Sequence, residues 1–579
     1  MSGIFEIADR YVDEIAALDP IAATSIGVPG HERELTDFSP DGAAGIAELQ
    51  RRTLRQALGE GDGLPRADRI ARDVMLERLG VALDLFEAGE QLRSVRILAS
   101  PLQRARDVFD QMPKGTEEEW SNIAARLGQV PRALAGYRQT LDEGLRRGMA
   151  AAERQAREAL AQAEIWSGQL AQKPSFFAML GEGFEKWAAA KPTDGGAALP
   201  RKDAPAGRAD GLRRDMDEGV RAAMRGYGEM ARYFREDYLP RAGGQEAAGE
   251  ERYQMLSRVF LGATIDLRET YQWGWEELRR VEREMEQTAR KILPGASVQE
   301  AMALVESEPA RAVEGVEAYR EWLQGLHDEA LRQLHGKHFD IPAPVRRIEV
   351  MIPPPGGSLA AYYTGPSEDF TRPGRTWWPT GSMTRFPRWA DVSTVYHEGV
   401  PGHHLQVATV RVLKDELSRF QRVLTFVSGH GEGWALYAER LMGELGYLQL
   451  PDYYLGMLSA QALRCVRVII DIGMHLELAI PRGERFHPGA VWDHDLALEF
   501  AVERSGRPRE FMASELVRYL GWPAQAISYK VGERRWLAAR QAARRRLGQA
   551  FDLKRFHTQA LNLGPMGLEQ LDRELAGSG

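Results

Sequence analysis

Hydrophobic residues recur at three- and four-residue steps along most of the chain, which is the spacing of a helix that packs one face against a core. In the first segment the apolar residues at this spacing are Ile4, Ile7, Tyr11 and Ile15. Five later segments repeat the pattern and are rich in Ala, Leu, Glu and Arg: 66–90, 117–170, 212–236, 263–292 and 297–334. Because these residue types favour helix, the pattern predicts a helical N-terminal half.

Two stretches interrupt the helical pattern. Residues 191–211 are dense in Pro, Gly and Asp, which predicts an exposed loop or a lid. Near residue 345 apolar side chains alternate instead, at Ile348, Val350 and Ile352, so we expect a small sheet there. Helical periodicity then resumes in five segments: 391–415, 431–446, 454–480, 494–504 and 508–520. The predicted fold class is mainly α with a small β element.

Composition and charge exclude several classes of protein. Lys and Arg total 75 against 83 Asp and Glu, a formal charge of -8, which argues against a partner that is bound through its phosphates. No stretch approaches the ~20 uninterrupted apolar residues that a membrane span requires. We therefore expect a soluble protein that binds neither nucleic acid nor a membrane.

The number of cysteines and the first residues of the chain indicate the cellular location to expect. Cys465 is the only cysteine, so neither an intrachain disulfide nor a thiolate metal cluster can form. Asp9, Asp13 and Glu14 occupy positions where a signal peptide would keep an uncharged apolar core. The sequence therefore predicts a cytoplasmic location.

Four of the twelve histidines, His397, His403, His404 and His430, lie close together in the sequence. His397 is followed directly by Glu398, and a His-Glu pair on a helix with a second His beyond it is how zinc hydrolases place two ligands beside a general base. On a straight helix a six-residue step rotates by about 240° and a seven-residue step rises about 10.5 Å. Neither later histidine could then share one metal with His397.

A break in the helix removes this obstacle. Pro401 cannot donate a backbone hydrogen bond and Gly402 tolerates unusual backbone angles, so we expect a bulge or kink here. Such a break could bring His403 to the metal, and we prefer it to His404 because fewer inserted residues must be absorbed. From the residues alone that choice stays open, as does a simple helix end with solvated imidazoles.

The third ligand is expected from the segment SGHGEGWALYAERL, which carries Glu432 and Glu439. Three protein ligands and an open water position are typical of a catalytic zinc site, in which Glu398 would take the proton of that water. Glu439 is interpreted as an ordinary surface residue of the helix because Arg440 follows it. His430 is interpreted as a helix-start residue that could support a ligand from behind.

The segments VYHEGVPGHHLQ and EGWALYAE resemble the bacterial family catalogued as domain of unknown function 885, placed among the gluzincin-like metallopeptidases. The resemblance extends over nearly the whole chain, including RCVRVIIDIGMH and LGWPAQAISYKVG. Through that clan the chain is also similar to thimet oligopeptidase, carboxypeptidase Taq and angiotensin-converting enzyme. These are helical clamshells with a deep channel over the zinc helix.

The resemblance implies a helical clamshell-like zincin fold with a small β-sheet beside the metal-site helix. Residues 1–340 would form one wall of the channel, and residues 341–579 would form the catalytic region. The implied metal ligands are His397, His403 and Glu432, with Glu398 as the base. The gap between the two histidines is longer here than in the relatives.

Other residues receive roles around this site. Relatives in the clan use a Tyr or His of a C-terminal helix to stabilise the oxyanion, and Tyr529 is the first choice here. On the RCVRVIIDIGMH helix, Arg464, Arg467, Asp471 and His475 form a mixed-charge face that could line the channel. A structural salt-bridge network accounts for that face equally well. The residues expected to bind substrate or to support the ligands are His404, His430, His475, Arg464 and Arg467.

The sequence thus predicts a zinc-dependent metallopeptidase that hydrolyses short peptides, although Mn²⁺ or Co²⁺ could occupy the same site. One alternative is a metal-dependent hydrolase of another amide, such as an N-acyl or biosynthetic small molecule. The other is a catalytically silent helical binding protein in which the histidine cluster is structural.

Overall fold

The computed structural model describes residues 3–61, 63–170, 172–190, 206–353 and 360–577. The chain divides into two compact units. The first consists mainly of Glu6–Glu60 and Leu79–Glu246, and the second mainly of Gly61–Arg78 and Ala247–Gly579. The division at residue 340 between one wall of the channel and the catalytic region, which was inferred from the sequence, stays a prediction.

Within the described ranges the chain forms 22 α-helices, which confirms the predicted mainly α class. The first eleven are α1 Gly3–Leu18, α2 Pro20–Ile26, α3 Pro40–Gly59, α4 Arg66–Glu87, α5 Pro101–Gln111, α6 Glu117–Arg146, α7 Glu153–Trp166, α8 Phe176–Ala189, α9 Ala206–Tyr233, α10 Glu250–Leu261 and α11 Leu267–Ile292. The others are α12 Val298–Ser307, α13 Val316–Leu334, α14 Asp391–Glu398, α15 His403–Val412, α16 Ser428–Glu444, α17 Pro451–His475, α18 His494–Ser505, α19 Arg509–Gly521, α20 Ser528–Leu547, α21 Leu553–Asn562 and α22 Leu568–Gly577. None of the helices in the described part of the chain is long and apolar enough to cross a membrane.

The predicted small sheet is present. The strands in the described part of the chain are β1 Ala312–Glu314, β2 Ile348–Met351, β3 Tyr362–Thr364, β4 Gly374–Trp377 and β5 Arg385–Pro387. Strand β4 lies in the middle of a three-stranded sheet, parallel to β2 and antiparallel to β3. Strands β1 and β5 form a separate antiparallel pair. Alternating burial along β2 and β4 places one face of the larger sheet in the core.

The core of the first unit lies around the long helices α6 and α9, which pack Trp120, Leu127, Tyr137 and Tyr227 out of solvent. The predicted loop or lid at 191–211 falls largely outside the described residues, which resume at residue 206. From that point the backbone is helical, so the loop prediction is wrong for residues 206–211. Ala206, Arg208 and Ala209 are residue types that favour helix, and they belong to the first turn of α9.

The second unit contains every residue assigned above to the metal site. Helix α16 packs against α20 over much of its length, and α11 packs against the almost fully buried α17. The α16 and α20 backbones approach closely because Gly429 and Gly433 face Gly532. A Cβ atom at residue 532 would overlap the carbonyl oxygen of Gly429 and lie 2.6 Å from the Cα atom of Gly433. Glycine is therefore required at this crossing.

We expect Gly532→Ala to lower the free energy of unfolding by about 1–3 kcal/mol, because the added methyl group meets backbone that cannot rotate away. The matched control is Gly325→Ala in α13, where a Cβ atom meets nothing within 4 Å. There we expect a gain of about 0.5–1 kcal/mol from helix propensity. Denaturant unfolding of both variants measures the difference, and equal stabilities would contradict the close packing of α16 on α20.

Candidate metal centre

A break between two helices positions the histidines. Helix α14 ends at Glu398 and α15 begins at His403. Between them the Gly402 N–H donates to the carbonyl of Tyr396 over 3.0 Å, and Trp434 Nε1 donates to the carbonyl of Pro401 over 2.8 Å. The expected interruption at Pro401 and Gly402 is confirmed.

The interruption requires glycine at two positions. A Cβ atom at residue 402 would overlap the carbonyl oxygens of Tyr396 and His397, and one at residue 399 would overlap the buried imidazole of His327. With glycine at both positions the chain doubles back on the end of α14. The rings of His397 and His403 consequently lie 4.9 Å apart between centroids, at an interplanar angle of 89°.

Three side chains from these helices and from α16 present ligand atoms to one point. Glu432 Oε2 lies 3.3 Å from His397 Nε2 and 3.4 Å from His403 Nε2, and the ligand atoms of the three residues all lie within 4.8 Å of one another. For metal–ligand bonds of ~2.0–2.1 Å, the edge of a tetrahedron is ~3.3 Å. The two separations that join Glu432 to the histidines match this edge.

The same separations fit a hydrogen-bonded ion pair less well. Charge-assisted hydrogen bonds between nitrogen and carboxylate are usually about 2.7–2.9 Å long. Two imidazole nitrogens and one carboxylate oxygen are also the donor set that divalent transition metals take in hydrolytic sites. The chemistry and the spacing of this cluster thus agree with a metal site.

Glu439 lies directly behind His397. Its Oε1 is 2.8 Å from His397 Nδ1, and the residue is only 1% exposed. Because this carboxylate accepts a hydrogen bond from Nδ1–H, Nε2 is the ring nitrogen that faces Glu432 and His403. The interpretation of Glu439 as a surface residue is therefore wrong. A signal was available, since Glu439 follows Glu432 by seven residues, two helical turns later on the same face.

The electrostatics of the cluster follow from burial and close pairing. Burial by itself disfavours a charged imidazole, yet the hydrogen bonds to Glu432 and Glu439 raise the pKa of His397 to about 10. Burial also disfavours the charged carboxylate, but the charge of His403 and its hydrogen bonds hold the pKa of Glu432 well below its usual range. Glu432 is therefore ionised at neutral pH, as a metal ligand must be.

Glu398, the last residue of α14, is buried beside the cluster. Burial raises the pKa of its carboxyl group, while the charges of His397 and His403 partly oppose this rise. A carboxylate with a raised pKa holds a proton more readily than one in water. This is the property that a general base needs near neutral pH.

The other two histidines of the sequence cluster, His404 and His430, form hydrogen bonds outside the candidate metal site. His404 contacts the hydroxyl of Tyr363 through Nδ1 at 2.9 Å and the carbonyl of Val345 through Nε2 at 2.7 Å. His430 accepts at Nδ1 from the side-chain amide of Gln406 over 3.1 Å. Burial lowers the pKa of each histidine to about 4. Of the two candidates for the second ligand, the structure brings His403 to the cluster and not His404.

Tyr529 lies in the first turn of α20 and is partly exposed. The guanidinium carbon of Arg467 lies 4.9 Å from its ring centroid and that of Arg464 lies 5.8 Å away. Burial raises the pKa of the Tyr529 phenol, and the charge of Glu432 adds to this rise. The hydroxyl is therefore protonated at neutral pH and can donate a hydrogen bond.

The far end of the predicted α17 face is structural. Asp471 accepts hydrogen bonds from the Tyr253 hydroxyl over 2.6 Å and from the backbone of Ala524 over 2.9 Å. Fully buried His475 uses both ring nitrogens on backbone groups of Ala248 and Tyr519. The assignment of His475 to substrate binding is therefore wrong, because its polar atoms are already engaged in helix packing.

A family model described as bacterial protein of unknown function, DUF885, matches residues 20–575. The chain belongs to the DUF885 family. No curated protein sequence matches it. The family resemblance stated from the sequence is thus confirmed at this level.

Two solved structures are similar over nearly the whole chain. One is a "putative lipoprotein" from Colwellia psychrerythraea, with 22% identity, a TM-score of 0.83 and coverage of 99% of this chain and 98% of that one. Another is a "putative lipoprotein of unknown function" from Shewanella oneidensis, with 16% identity, a TM-score of 0.72 and coverage of 99% and 100%. At these identities the likeness shows a shared fold alone, and the cytoplasmic location of this chain stays a prediction.

We expect Glu439→Gln to weaken zinc binding about 10- to 100-fold, because the imidazole of His397 loses its charged partner. The control is Glu444→Gln on the same helix, where an exposed carboxylate pairs with Arg540. Competition with a zinc-chelating dye measures both affinities. An unchanged affinity in Glu439→Gln would show that this carboxylate does not support the ligand.

Proposed function

We propose that the chain is a zinc-dependent hydrolase that cleaves peptide bonds of short peptides. The observation that carries the proposal is the cluster of His397, His403 and Glu432, in which Glu432 lies at a tetrahedral-edge distance from both histidines. Glu398 follows His397 directly at the end of α14. The resemblance of these segments to gluzincin-like metallopeptidases supports it. The clamshell-like zincin architecture belongs to the same proposal.

His397, His403 and Glu432 would hold the metal, and Glu439 would fix the orientation of His397. A zinc ion in this position would polarise the scissile carbonyl and lower the pKa of the attacking water toward ~7. Glu432 contributes a single negative charge to the three ligands. The metal and its three ligands would therefore together carry one net positive charge, which favours the build-up of negative charge on the carbonyl oxygen of the substrate.

Glu398 is the proposed general base. Its carboxylate takes a proton from the attacking water and later delivers it to the nitrogen of the leaving amine. The water supplies hydroxyl to the acyl carbon and hydrogen to the amine, so the products are a carboxylic acid and an amine. Burial of Glu398 suits this role because it raises the affinity of the carboxylate for the proton.

Tyr529 is the proposed donor to the developing oxyanion. Its hydroxyl makes no hydrogen bond within the described residues, so it can donate to a substrate. The ring lies against the guanidinium groups of Arg464 and Arg467, which limits its movement. A donor held in place before the reaction stabilises charge that appears only in the transition state.

We expect Glu398→Gln to retain zinc and to lose peptide hydrolysis, because an amide cannot accept the water proton. A diverse mixture of short peptides is incubated with wild type, with the variant and with chelator-treated wild type, and the products are analysed by mass spectrometry. Cleavage by zinc-loaded wild type alone is the expected result. Retained cleavage in Glu398→Gln would remove Glu398 from the reaction.

We expect Tyr529→Phe to lower kcat about 10²- to 10³-fold with little change in KM, because only transition-state stabilisation is lost. Steady-state kinetics on a cleaved peptide measure both constants. Zinc content is determined in parallel, to show that the metal site is intact. A kcat equal to that of wild type would assign Tyr529 to packing.

A further inference from the structure

Three arginines lie near one another, and two of them, Arg464 and Arg467, lie against the ring of Tyr529. Arg464 and Arg467 project from α17, and Arg507 lies in the short connection between α18 and α19. Arg467 is fully paired, since it donates to the carboxylate of Glu515 and to the hydroxyl of Tyr519, both over 2.7 Å. It therefore acts as part of the scaffold.

Arg464 and Arg507 are not paired in this way. The Arg464 side chain donates to the carbonyl of Ala460 over 3.1 Å, and the one ion pair it forms within the described ranges is with Glu439 at 4.0 Å. That carboxylate already serves His397. The Nε–H of Arg464 and that of Arg507 are both buried without an acceptor among the residues that the structure describes.

The acidic residues near Arg507 do not neutralise it. The charges of Asp391 and Glu306 reach Arg507, yet neither residue pairs with it. Asp391 accepts from the Tyr319 hydroxyl over 2.9 Å, and Glu306 accepts from Trp389 Nε1 over 2.7 Å. Burial first, and then the like charge of Arg464, lowers the pKa of Arg507. An unpaired cation held next to another cation is costly, and an anion would offset that cost.

Arg464 lies close to the proposed catalytic residues Tyr529 and Glu398. Its guanidinium lies 5.8 Å from the ring of Tyr529, and its charge acts on Glu398. In a peptide the terminal carboxyl carbon is two covalent bonds from the last amide nitrogen, at ~2.5 Å. A group that binds this carboxylate must therefore stand close to the residues that attack the last amide bond, as Arg464 does.

We propose that Arg464 and Arg507 bind the terminal carboxylate of the substrate, so that the chain removes single residues from the carboxyl end of peptides or N-acyl amino acids. This inference rests on the proposed hydrolase function and narrows its substrate class. Water adds to the acyl carbon next to the last residue, the C–N bond breaks, and Glu398 carries the proton to the released amine. Arginine suits the carboxylate because its planar fork matches the two oxygens.

The test uses two matched mixtures of N-acetylated peptides, one with free carboxyl ends and one with carboxamide ends. Zinc-loaded wild type is incubated with each mixture, and the products are followed by mass spectrometry. We expect release of the last residue from the free acids, and at least a 10-fold lower rate with the amides. Equal zinc-dependent cleavage of both mixtures, or cleavage at internal bonds, would overturn the carboxylate site and leave the peptidase proposal standing.

The matched variants are Arg464→Gln, Arg464→Lys and, as a control, Arg534→Gln on the exposed face of α20, where the side chain pairs with Glu269. We expect Arg464→Gln to reduce kcat/KM for the free acids roughly 10- to 100-fold more than for the amides. Arg464→Lys should recover part of the loss. A defect of folding would lower both rates together, so an unchanged acid-to-amide ratio in Arg464→Gln would contradict the assignment.

A third measurement applies when neither mixture is cleaved, a result that would refute the peptidase proposal. Zinc-loaded Glu398→Gln is mixed with N-acetyl dipeptides and with their amides, and binding is measured by native mass spectrometry. Preferential binding of the acids that weakens when the Arg464→Gln substitution is introduced into the Glu398→Gln protein would support the carboxylate site. Equal binding of acids and amides, or no binding of either, would overturn it.

Discussion

The close contact between Gly402 and the carbonyl groups of Tyr396 and His397 determines where both imidazoles lie. It allows the chain to leave α14 and begin α15 within four residues, so that His403 faces His397. A side chain at residue 402 would push the two helices apart. The donor set, the position of Glu398 and the proposed chemistry all depend on this contact.

A second constraint holds the remaining groups against the two histidines. Glu432 and Glu439 lie on α16, and Tyr529 lies on α20. Glycines at the crossing of these two helices let their backbones approach closely. Behind this crossing the buried ammonium of Lys530 pairs with Glu277 over 2.8 Å and with Glu533. Buried charges there are matched, whereas Arg464 and Arg507 are left without full partners. This contrast is the basis for assigning an anion to the arginines.

The sequence was sufficient to predict those features that depend on residues close together in the chain. Periodicity predicted the helices, alternation near residue 345 predicted the small sheet, and Pro401 with Gly402 predicted the helix break. It could not decide between His403 and His404, because that choice depends on how the backbone folds back. It could not distinguish Arg464 from Arg467 either, since the partner of Arg467 comes from α19. Glu439 was missed because an adjacent arginine suggested solvent, although its own helix face is buried.

The central claim is that His397, His403 and Glu432 together hold one zinc ion. Zinc K-edge X-ray absorption on the purified protein tests it most directly. The account predicts one zinc per chain, bound by two imidazole nitrogens at ~2.0–2.1 Å and by oxygen, with loss of this signal in His403→Ala. A substoichiometric metal, or an imidazole signal that persists in His403→Ala, would contradict it.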